Sequence, residues 1–207
     1  MGIREKYYNN TRKPVGLLGK RMVNTMNTGH AEVSDWGMDH LKEINPCTIA
    51  ELGCGGGRNV EQLLKKYPNA SVTALDYSAV SVKKTCQVNK KAIQEGRCKV
   101  VQGDVSAMPL EDESVELATA FETVYFWPGP LKSFQEVFRI LKPKGCFMIV
   151  NDTDGTKEID QQWVQMIDGM HLYNEKQLTQ YLQEAGFSET RVYKDEEKNW
   201  ICVMGIK

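Results

Sequence analysis

The sequence predicts an α/β protein: a doubly wound, mostly parallel, seven-stranded sheet with an antiparallel C-terminal strand, preceded by an N-terminal helical cap. Three features of the chain predict this fold. From residue 46 onward, apolar β-type runs alternate with segments of helical periodicity, as in parallel βαβ units. Glycines or acidic residues follow several of these runs. The last two runs, 190–193 and 200–206, flank a short charged turn, which favours an antiparallel hairpin.

The bulk composition narrows the class of protein. The chain has 207 residues, 41% of them hydrophobic and 26% charged, which fits one domain with a substantial core. With a net charge of −1, no basic surface indicates nucleic acid, and no apolar run approaches the roughly 20 residues of a membrane span. The six cysteines are scattered and only three histidines are present, so no metal site is expected. We expect a cytoplasmic monomer or homodimer that binds neither nucleic acid nor membrane.

Residues 1–46 are predicted to form a helical cap that belongs to the same domain as residues 47–207. Leu18, Met22 and Met26 recur at helical spacing, and Ser34-Asp35 is a candidate cap for a second helix that runs to residue 44. This segment is too short to be a domain, and we expect it to lie over an open edge of the sheet. His30 and Trp36 lie within it. They either pack structurally or cover a ligand.

The remaining elements follow from the same patterns in chain order. Parallel strands are predicted at 48–50, 71–75, 99–102, 115–120 and 146–150. Helices are predicted after the first strand to residue 67, from a Ser78 cap to residue 93, at 131–141, and at 174–185 with Gly186 as the stop. A hairpin of residues 190–193 and 200–206 completes the sheet.

The glycine-rich loop after the first strand, in the stretch TIAELGCGGGRN, is the main functional signal. Glycines at 53, 55 and 57 allow a ligand to approach the backbone, and the following helix presents free N–H groups. A dinucleotide fingerprint would need glycine where Arg58 or Val60 stands, and a phosphate-binding P-loop would need Gly-Lys-Ser/Thr. The observed pattern is instead E-x-G-x-G-x-G, beginning at Glu51.

This pattern resembles the first motif of the class I S-adenosylmethionine-dependent methyltransferases, which have a Rossmann-like fold. The resemblance covers residues 48–152, including GDVSAMPLEDESVELATAFE and EVFRILKPKGCFMIV. It implies S-adenosylmethionine as cofactor, with Asp76 on the ribose, Asp104 and Val105 at the adenine, and Tyr77 packed on that ring. The backbone near 120–121 would contact the methionine moiety. The complete set of expected cofactor-binding residues is Glu51, Gly53, Cys54, Gly55, Gly57, Asn59, Asp76, Tyr77, Ser78, Asp104, Val105, Ala120 and Phe121.

A small-molecule methyl acceptor would lie beyond the cofactor. Residues 1–46 and 153–171 carry no signature of the family, so we expect them to select the substrate. The aromatic run 121–128 either forms a cage for a planar or cationic acceptor or is a packed lid. No motif identifies a catalytic base. The candidate acceptor-pocket residues are His30, Trp36, Glu122, Tyr125, Trp127 and Asp152.

Two other functions stay open from the sequence. A nicotinamide-dependent oxidoreductase would share the sheet, but the third fingerprint glycine is missing and the C-terminal hairpin fits poorly. A non-catalytic S-adenosylmethionine-binding protein would keep the cofactor site but have its acceptor crevice plugged, by Trp127 or by the N-terminal helices.

Overall fold

The computed structural model describes residues 3–207, with side chains from residue 7 onward; residues 1 and 2 of the predicted cap lie outside the described residues. In this range the helices are α1 (Ile3–Arg12), α2 (Gly16–Gly29), α3 (Ala31–Asp39), α4 (Arg58–Lys66), α5 (Ala79–Val88), α6 (Lys90–Gln94), α7 (Pro130–Ile140), α8 (Gln161–Met166) and α9 (Glu175–Ala185). The strands are β1 (Thr48–Leu52), β2 (Ser71–Asp76), β3 (Cys98–Gln102), β4 (Val115–Phe121), β5 (Leu141–Asn151), β6 (Glu189–Asp195) and β7 (Trp200–Ile206).

The strands form one seven-stranded sheet in the order β3-β2-β1-β4-β5-β7-β6. The first five pair in parallel, and β7 runs antiparallel to both β5 and β6. The predicted α/β class, the mostly parallel sheet and the antiparallel C-terminal hairpin are therefore confirmed. The order reverses direction at β1 and β4, and the carboxyl ends of neighbouring strands flank a crevice at such a switch point.

Apolar layers cover both faces of the sheet. On one face, α7 and α9 pack against the strands around Phe134 and Phe147. On the other face, α3, α4 and α5 bury a second cluster around Leu63 and Met148. Because both faces are buried, the central strands are nearly continuous apolar runs, as the sequence pattern predicted.

Three predicted helix boundaries are wrong. The second cap helix begins at Ala31 rather than at a Ser34 cap, because only His30 separates it from α2, and Ser34 is buried inside it. The same helix ends at Asp39 rather than at residue 44. The helix predicted to run to residue 93 is interrupted at Asn89. The Nδ2 group of Asn89 donates hydrogen bonds to the carbonyl oxygens of Gly57 and Thr85, at 3.0 and 3.1 Å. These bonds stabilise the break between α5 and α6. The fifth strand is also longer than predicted and extends over Leu141–Asn151.

The helical cap is present, but it does not lie over an open edge of the sheet. Helix α2 packs on α5, and α3 packs on β5 in the centre of one face. Gly37 allows this close approach, since a Cβ there would lie 2.5 Å from a methyl carbon of Val150. The cap thereby reaches across the carboxyl ends of the strands. Among the described residues, no helix has the length and apolarity needed to cross a membrane.

Candidate active site

A cavity of about 620 Å³ opens at the carboxyl ends of the central strands, below the helical cap. This volume lies within the roughly 300–1,000 Å³ that is typical of small-molecule sites. Its floor is the glycine loop, and its walls come from the ends of β2, β3 and β4, from the cap, and from residues 169–181. The cavity therefore joins the sheet to the two segments that carry no family signature.

Left-handed glycines shape the floor of the cavity. Gly53, Gly55 and Gly57 have φ of 82°, 49° and 82°, values that residues with a side chain adopt at a cost. The N–H groups of Gly53 and Cys54 donate to the carbonyl oxygen of Leu75, at 2.8 and 3.0 Å. These bonds hold the loop across the end of the neighbouring strand. A Cβ at Gly55 would have only the Gly53 carbonyl oxygen within 4 Å, at 3.9 Å, so the space above the loop is open.

Asp76 ends β2 on the wall of this cavity and is buried. Its Oδ2 accepts the Gly55 N–H at 2.9 Å, and its Oδ1 accepts the Ser78 N–H at 2.8 Å. Burial raises the pKa of this carboxyl group, and the two backbone donors oppose that shift. Each oxygen keeps a second lone pair, so the carboxylate can accept two further hydrogen bonds from a ligand diol.

The other predicted residues of the ribose and adenine region also lie on the cavity wall. The Tyr77 hydroxyl donates to the carbonyl oxygen of Arg12 and so ties this wall to the cap. Burial raises the pKa of that phenol to about 12. Of the predicted cofactor residues, those that line the cavity are Gly53, Cys54, Gly55, Asn59, Asp76, Tyr77, Asp104, Val105 and Phe121.

Four predicted cofactor residues are not on the cavity wall. Gly57 caps α4 and packs against α5, where a Cβ would lie 2.8 Å from the Cα of Thr85. The Ser78 hydroxyl donates to the Pro14 carbonyl oxygen at 2.7 Å, so this residue ties the cap to α5. Ala120 is fully buried in the core beneath the sheet end. The fourth residue, Glu51, is described next.

Glu51 points away from the cavity because its carboxylate accepts the hydroxyl of Thr119 on the adjacent strand. It is 1% exposed, and this burial raises its pKa to about 8. A carboxyl group in such a place is protonated at neutral pH and can share a hydrogen bond with threonine without an unpaired buried charge. Glu51 thus lies off the cavity wall and is bonded to Thr119, and its contact with the cofactor stays a prediction.

This burial predicts that Glu51→Gln flattens the dependence of stability on pH. The folded protein keeps a proton on Glu51 between its ordinary pKa of 4.5 and about 8, whereas the unfolded chain loses it. The contribution of Glu51 to the free energy of unfolding is fully present below pH 4.5. As the pH rises above that value it falls by up to about 1.4 kcal/mol per pH unit, and it is lost above the folded pKa. Urea unfolding at several pH values should show that the free energy of unfolding of the variant rises relative to that of the wild type as the pH becomes more alkaline. A constant difference between the two proteins would contradict a neutral buried Glu51.

The acceptor end of the cavity contains Glu122, His30 and Trp127. Glu122 follows β4 and has φ of 56°, a left-handed conformation that is rare for a residue with a side chain. Its backbone N–H donates to the Val150 carbonyl oxygen at 2.9 Å, which fixes it beside the end of β5. Burial raises the pKa of Glu122, and the charge of Asp152 raises it further. His30 Nδ1 lies 4.0 Å from Glu122 Oε2, and burial lowers the His30 pKa.

Three predicted acceptor-pocket residues lie outside the cavity wall. Trp36 packs instead against the His40 and Trp200 rings, at centroid distances of 4.9 and 5.8 Å, so it belongs to the core beneath the cap. Tyr125 and Asp152 stand behind Glu122. The Tyr125 hydroxyl lies 3.2 Å from Asp152 Oδ1 and 3.5 Å from Glu122 Oε2, and the Asp152 N–H donates to Glu122 Oε1. Both residues support Glu122 from outside the wall.

No sequence motif indicated much of the remaining cavity wall. Cap residues reach the site through tertiary contacts, such as the Asn27 amide, which donates to the Gly56 carbonyl oxygen at 3.1 Å. A bidentate ion pair between Arg58 and Asp35, at 2.7 and 2.9 Å, also joins the glycine loop to the cap. The unpredicted wall residues from the cap and the C-terminal third include Thr11, Arg12, Met26, Asn27, Gly169, His171, Tyr173 and Tyr181.

Together, the fold and the cavity define the class of protein. A glycine-rich turn after the first strand and an acid at the end of the second lie together on the cavity wall, at the edge of a doubly wound sheet where nucleotide sites are typically found. The antiparallel β7 distinguishes this sheet from an all-parallel dinucleotide-binding sheet.

Comparison with known proteins supports the predicted resemblance. Residues 50–149 match the family model described as a methyltransferase domain. This match covers just under half of the chain and agrees with the predicted resemblance to the class I S-adenosylmethionine-dependent methyltransferases. The predicted extent of the resemblance, residues 48–152, is confirmed by this match.

Similar proteins include cycloartenol-C-24-methyltransferase 1 of Oryza sativa subsp. japonica, 30% identical over 49% of this chain and 29% of that protein. Demethylmenaquinone methyltransferase of Chlamydia pneumoniae is 28% identical over 53% of this chain and 46% of that protein. The chain thus spans less than half the length of these curated relatives. A methyltransferase structure from Aquifex aeolicus superposes with a TM-score of 0.74 at 18% identity, covering 90% of this chain and 97% of that one. Human N-acetylserotonin methyltransferase, solved with S-adenosylmethionine, gives 0.76 at 14% identity over 92% and 56% of the two chains.

Proposed function

We propose that the protein transfers a methyl group from S-adenosylmethionine to a small-molecule acceptor that binds in the same cavity. The observation that carries this proposal is the junction of two strand ends: the carboxylate of Asp76 bonded to the N–H of Gly55, both on the cavity wall. That junction offers hydrogen-bond acceptors to a ribose beside a backbone surface free of side chains.

The residues present fit the cofactor. Asp76 would accept the two ribose hydroxyls, while Tyr77, Asp104 and Val105 would surround the adenine. The open space over Gly55 and the backbone near Phe121, which lines the cavity, would hold the methionine part. When bound, the sulfonium supplies an electrophilic methyl group: the acceptor lone pair bonds to its carbon as the carbon–sulfur bond breaks and leaves its electron pair on sulfur.

The acceptor has room at the other end of the cavity. Trp127 stacks on Phe147, with centroids 5.9 Å apart, and its Nε1 donates to Thr123 Oγ1 at 3.2 Å. It therefore forms a wall and does not plug the crevice, which disfavours the non-catalytic alternative. The task of the protein is alignment of the two reactants and exclusion of water, and alignment alone can lower a barrier by up to about 7–11 kcal/mol.

Isothermal titration of the full chain with S-adenosylhomocysteine and with NADH tests the cofactor assignment. We expect saturable binding of S-adenosylhomocysteine and none of NADH, because the loop lacks the dinucleotide fingerprint. Transfer of an isotopically labelled methyl group to extracted cell metabolites would then show the reaction. Failure of folded protein to bind S-adenosylhomocysteine at millimolar concentration would contradict the proposal, as would preferential binding of NADH.

A further inference from the structure

His30 and Glu122 on the cavity wall form a cluster of hydrogen-bond acceptors with Asp152, which stands behind Glu122. Atoms of His30, Glu122 and Asp152 all lie within 4.8 Å of one another. Glu122 is buried and follows β4, while Asp152 is exposed and follows β5, so adjacent parallel strands bring the two carboxylates together. In the part of the chain that the structure describes, no lysine or arginine forms an ion pair with either of them.

We infer that this cluster binds the positively charged nitrogen of the acceptor, which is a primary or secondary amine bound as its ammonium ion. The inference deepens the proposed function and rests on it for the role of the nitrogen as the methyl acceptor. The nitrogen would donate hydrogen bonds to Glu122 and to its neighbours in the cluster. Its positive charge would favour the ionised form of the Glu122 carboxyl group, whose pKa is otherwise raised by burial and by the charge of Asp152. Aromatic residues of the same cavity, Phe121, Phe126 and Trp127, would contact the organic part of the molecule.

The geometry favours an ammonium ion over a metal ion. A tetrahedral nitrogen with N–H···O bonds of about 2.8 Å holds its acceptors about 4.6 Å apart, and the polar atoms of this cluster lie within 4.8 Å of one another. Donors around Mg²⁺ at about 2.1 Å lie only about 3 Å apart when they are adjacent, which is shorter than the 4.0 Å between His30 Nδ1 and Glu122 Oε2. Glu122 Oε1 is already occupied by the Asp152 N–H, and Tyr125 bridges the two carboxylates, which reduces the oxygens free to coordinate a metal.

The backbone of Glu122 supports a functional role. Its left-handed conformation is unfavourable for a residue with a side chain, and such strain persists where the surroundings fix it. Here the Val150 carbonyl oxygen, the Asp152 N–H and Tyr125 fix both the backbone and the carboxylate. The strained residue thereby presents a preorganised acceptor at the cavity wall.

An ammonium nitrogen must lose one proton before its lone pair can attack the methyl carbon. We assign His30 as the group that receives it. Its lowered pKa keeps the imidazole neutral at pH 7, so it can accept a proton. Its side chain is 36% exposed, so the proton can pass on to solvent. The nitrogen–carbon bond would form as the carbon–sulfur bond breaks with its electron pair left on sulfur, so the positive charge would pass to the nitrogen and an N-methylated ammonium ion and S-adenosylhomocysteine would remain.

The test measures cation preference with simple probes. The full chain is titrated at neutral pH with phenethylammonium, benzylammonium and butylammonium chlorides, each paired with its alcohol, with and without S-adenosylhomocysteine. We expect at least one ammonium ion to bind about tenfold or more tightly than its alcohol, since hydrogen bonds to charged groups are worth about that much. Glu122→Gln should remove this preference. The matched control Glu111→Gln, an exposed residue beside the amino ends of the strands, should retain it.

Each remaining outcome decides the inference. If Glu122→Gln fails to fold, Asp152→Asn changes an exposed member of the cluster and should weaken ammonium binding in folded protein. Ammonium ions that bind no better than alcohols would overturn the inference, even where S-adenosylhomocysteine binds and the proposed function stands. If ammonium ions bind more tightly than alcohols but S-adenosylhomocysteine does not bind, the cation site stands and the methyltransferase proposal is rejected. Binding of Mn²⁺ that depends on His30 and Glu122 would show that the cluster is a metal site and would overturn the inference of an ammonium site.

Discussion

Asp76→Ala is expected to abolish detectable binding of S-adenosylhomocysteine. The substitution removes two charge-assisted hydrogen bonds to the ribose, each worth about 1.5–3 kcal/mol, so the dissociation constant should rise by about a hundredfold or more. It also removes the acceptor of the Gly55 N–H, which helps to hold the glycine loop in place. Isothermal titration measures the loss directly.

Loss of binding could also follow from unfolding, because the Gly55 and Ser78 N–H groups lose their partner in this variant. Asp76→Asn separates the two causes, since its amide oxygen can still accept one of these bonds. We expect Asp76→Asn to unfold at nearly the wild-type temperature and to bind S-adenosylhomocysteine at least about tenfold more weakly. Asp39→Ala, at an exposed position at the end of α3, is the matched control and should bind normally. Wild-type affinity in folded Asp76→Ala would remove this carboxylate from the site.

The fold was predictable because each of its signals is local. The alternation of apolar runs and helical periodicity, the Gly186 helix stop and the charged turn before Trp200 each act over a few residues. Their sum gives the sheet that the structure contains. The break at Asn89 was not predictable, because its side chain bonds to Gly57, 32 residues away, and no local pattern reports such a contact.

The residues of the site also divide into those that local sequence patterns predict and those that depend on contacts between distant parts of the chain. Glycine spacing and strand-end acids placed Asp76, Asp104 and Glu122 on the cavity wall correctly, since the carboxyl ends of parallel strands share one edge of the sheet. The sequence could not say where a side chain at such an end points. Glu51 lies on β1 beside Thr119 and bonds to it, while Trp36 packs against Trp200 at the start of β7, on the same face of the sheet. The direction of each of these side chains depends on its neighbours in the tertiary structure.

Gly53→Ala is expected to destabilise the fold by about 2–5 kcal/mol. At φ of 82° an alanine costs about 1–2 kcal/mol, and its Cβ would overlap the side chain of Thr123 after β4. Overpacking of this kind adds about 1–3 kcal/mol. Thr123 also accepts the Trp127 Nε1–H bond, so its displacement would disturb the acceptor wall. Urea unfolding gives the free-energy difference.

Gly96→Ala separates backbone strain from overlap. Gly96 has φ of 73°, and a Cβ there meets nothing within 4 Å, so this variant should show only the cost of the left-handed backbone. The double variant Gly53→Ala/Thr123→Gly removes the overlapping side chain, and a coupling energy of about 1–3 kcal/mol should appear in the cycle. If Gly53→Ala and Gly96→Ala cost the same and the cycle shows no coupling, Thr123 does not restrict position 53. The glycine would then be required only for its dihedral angle, and the contact between the loop and the acceptor wall would carry no energy.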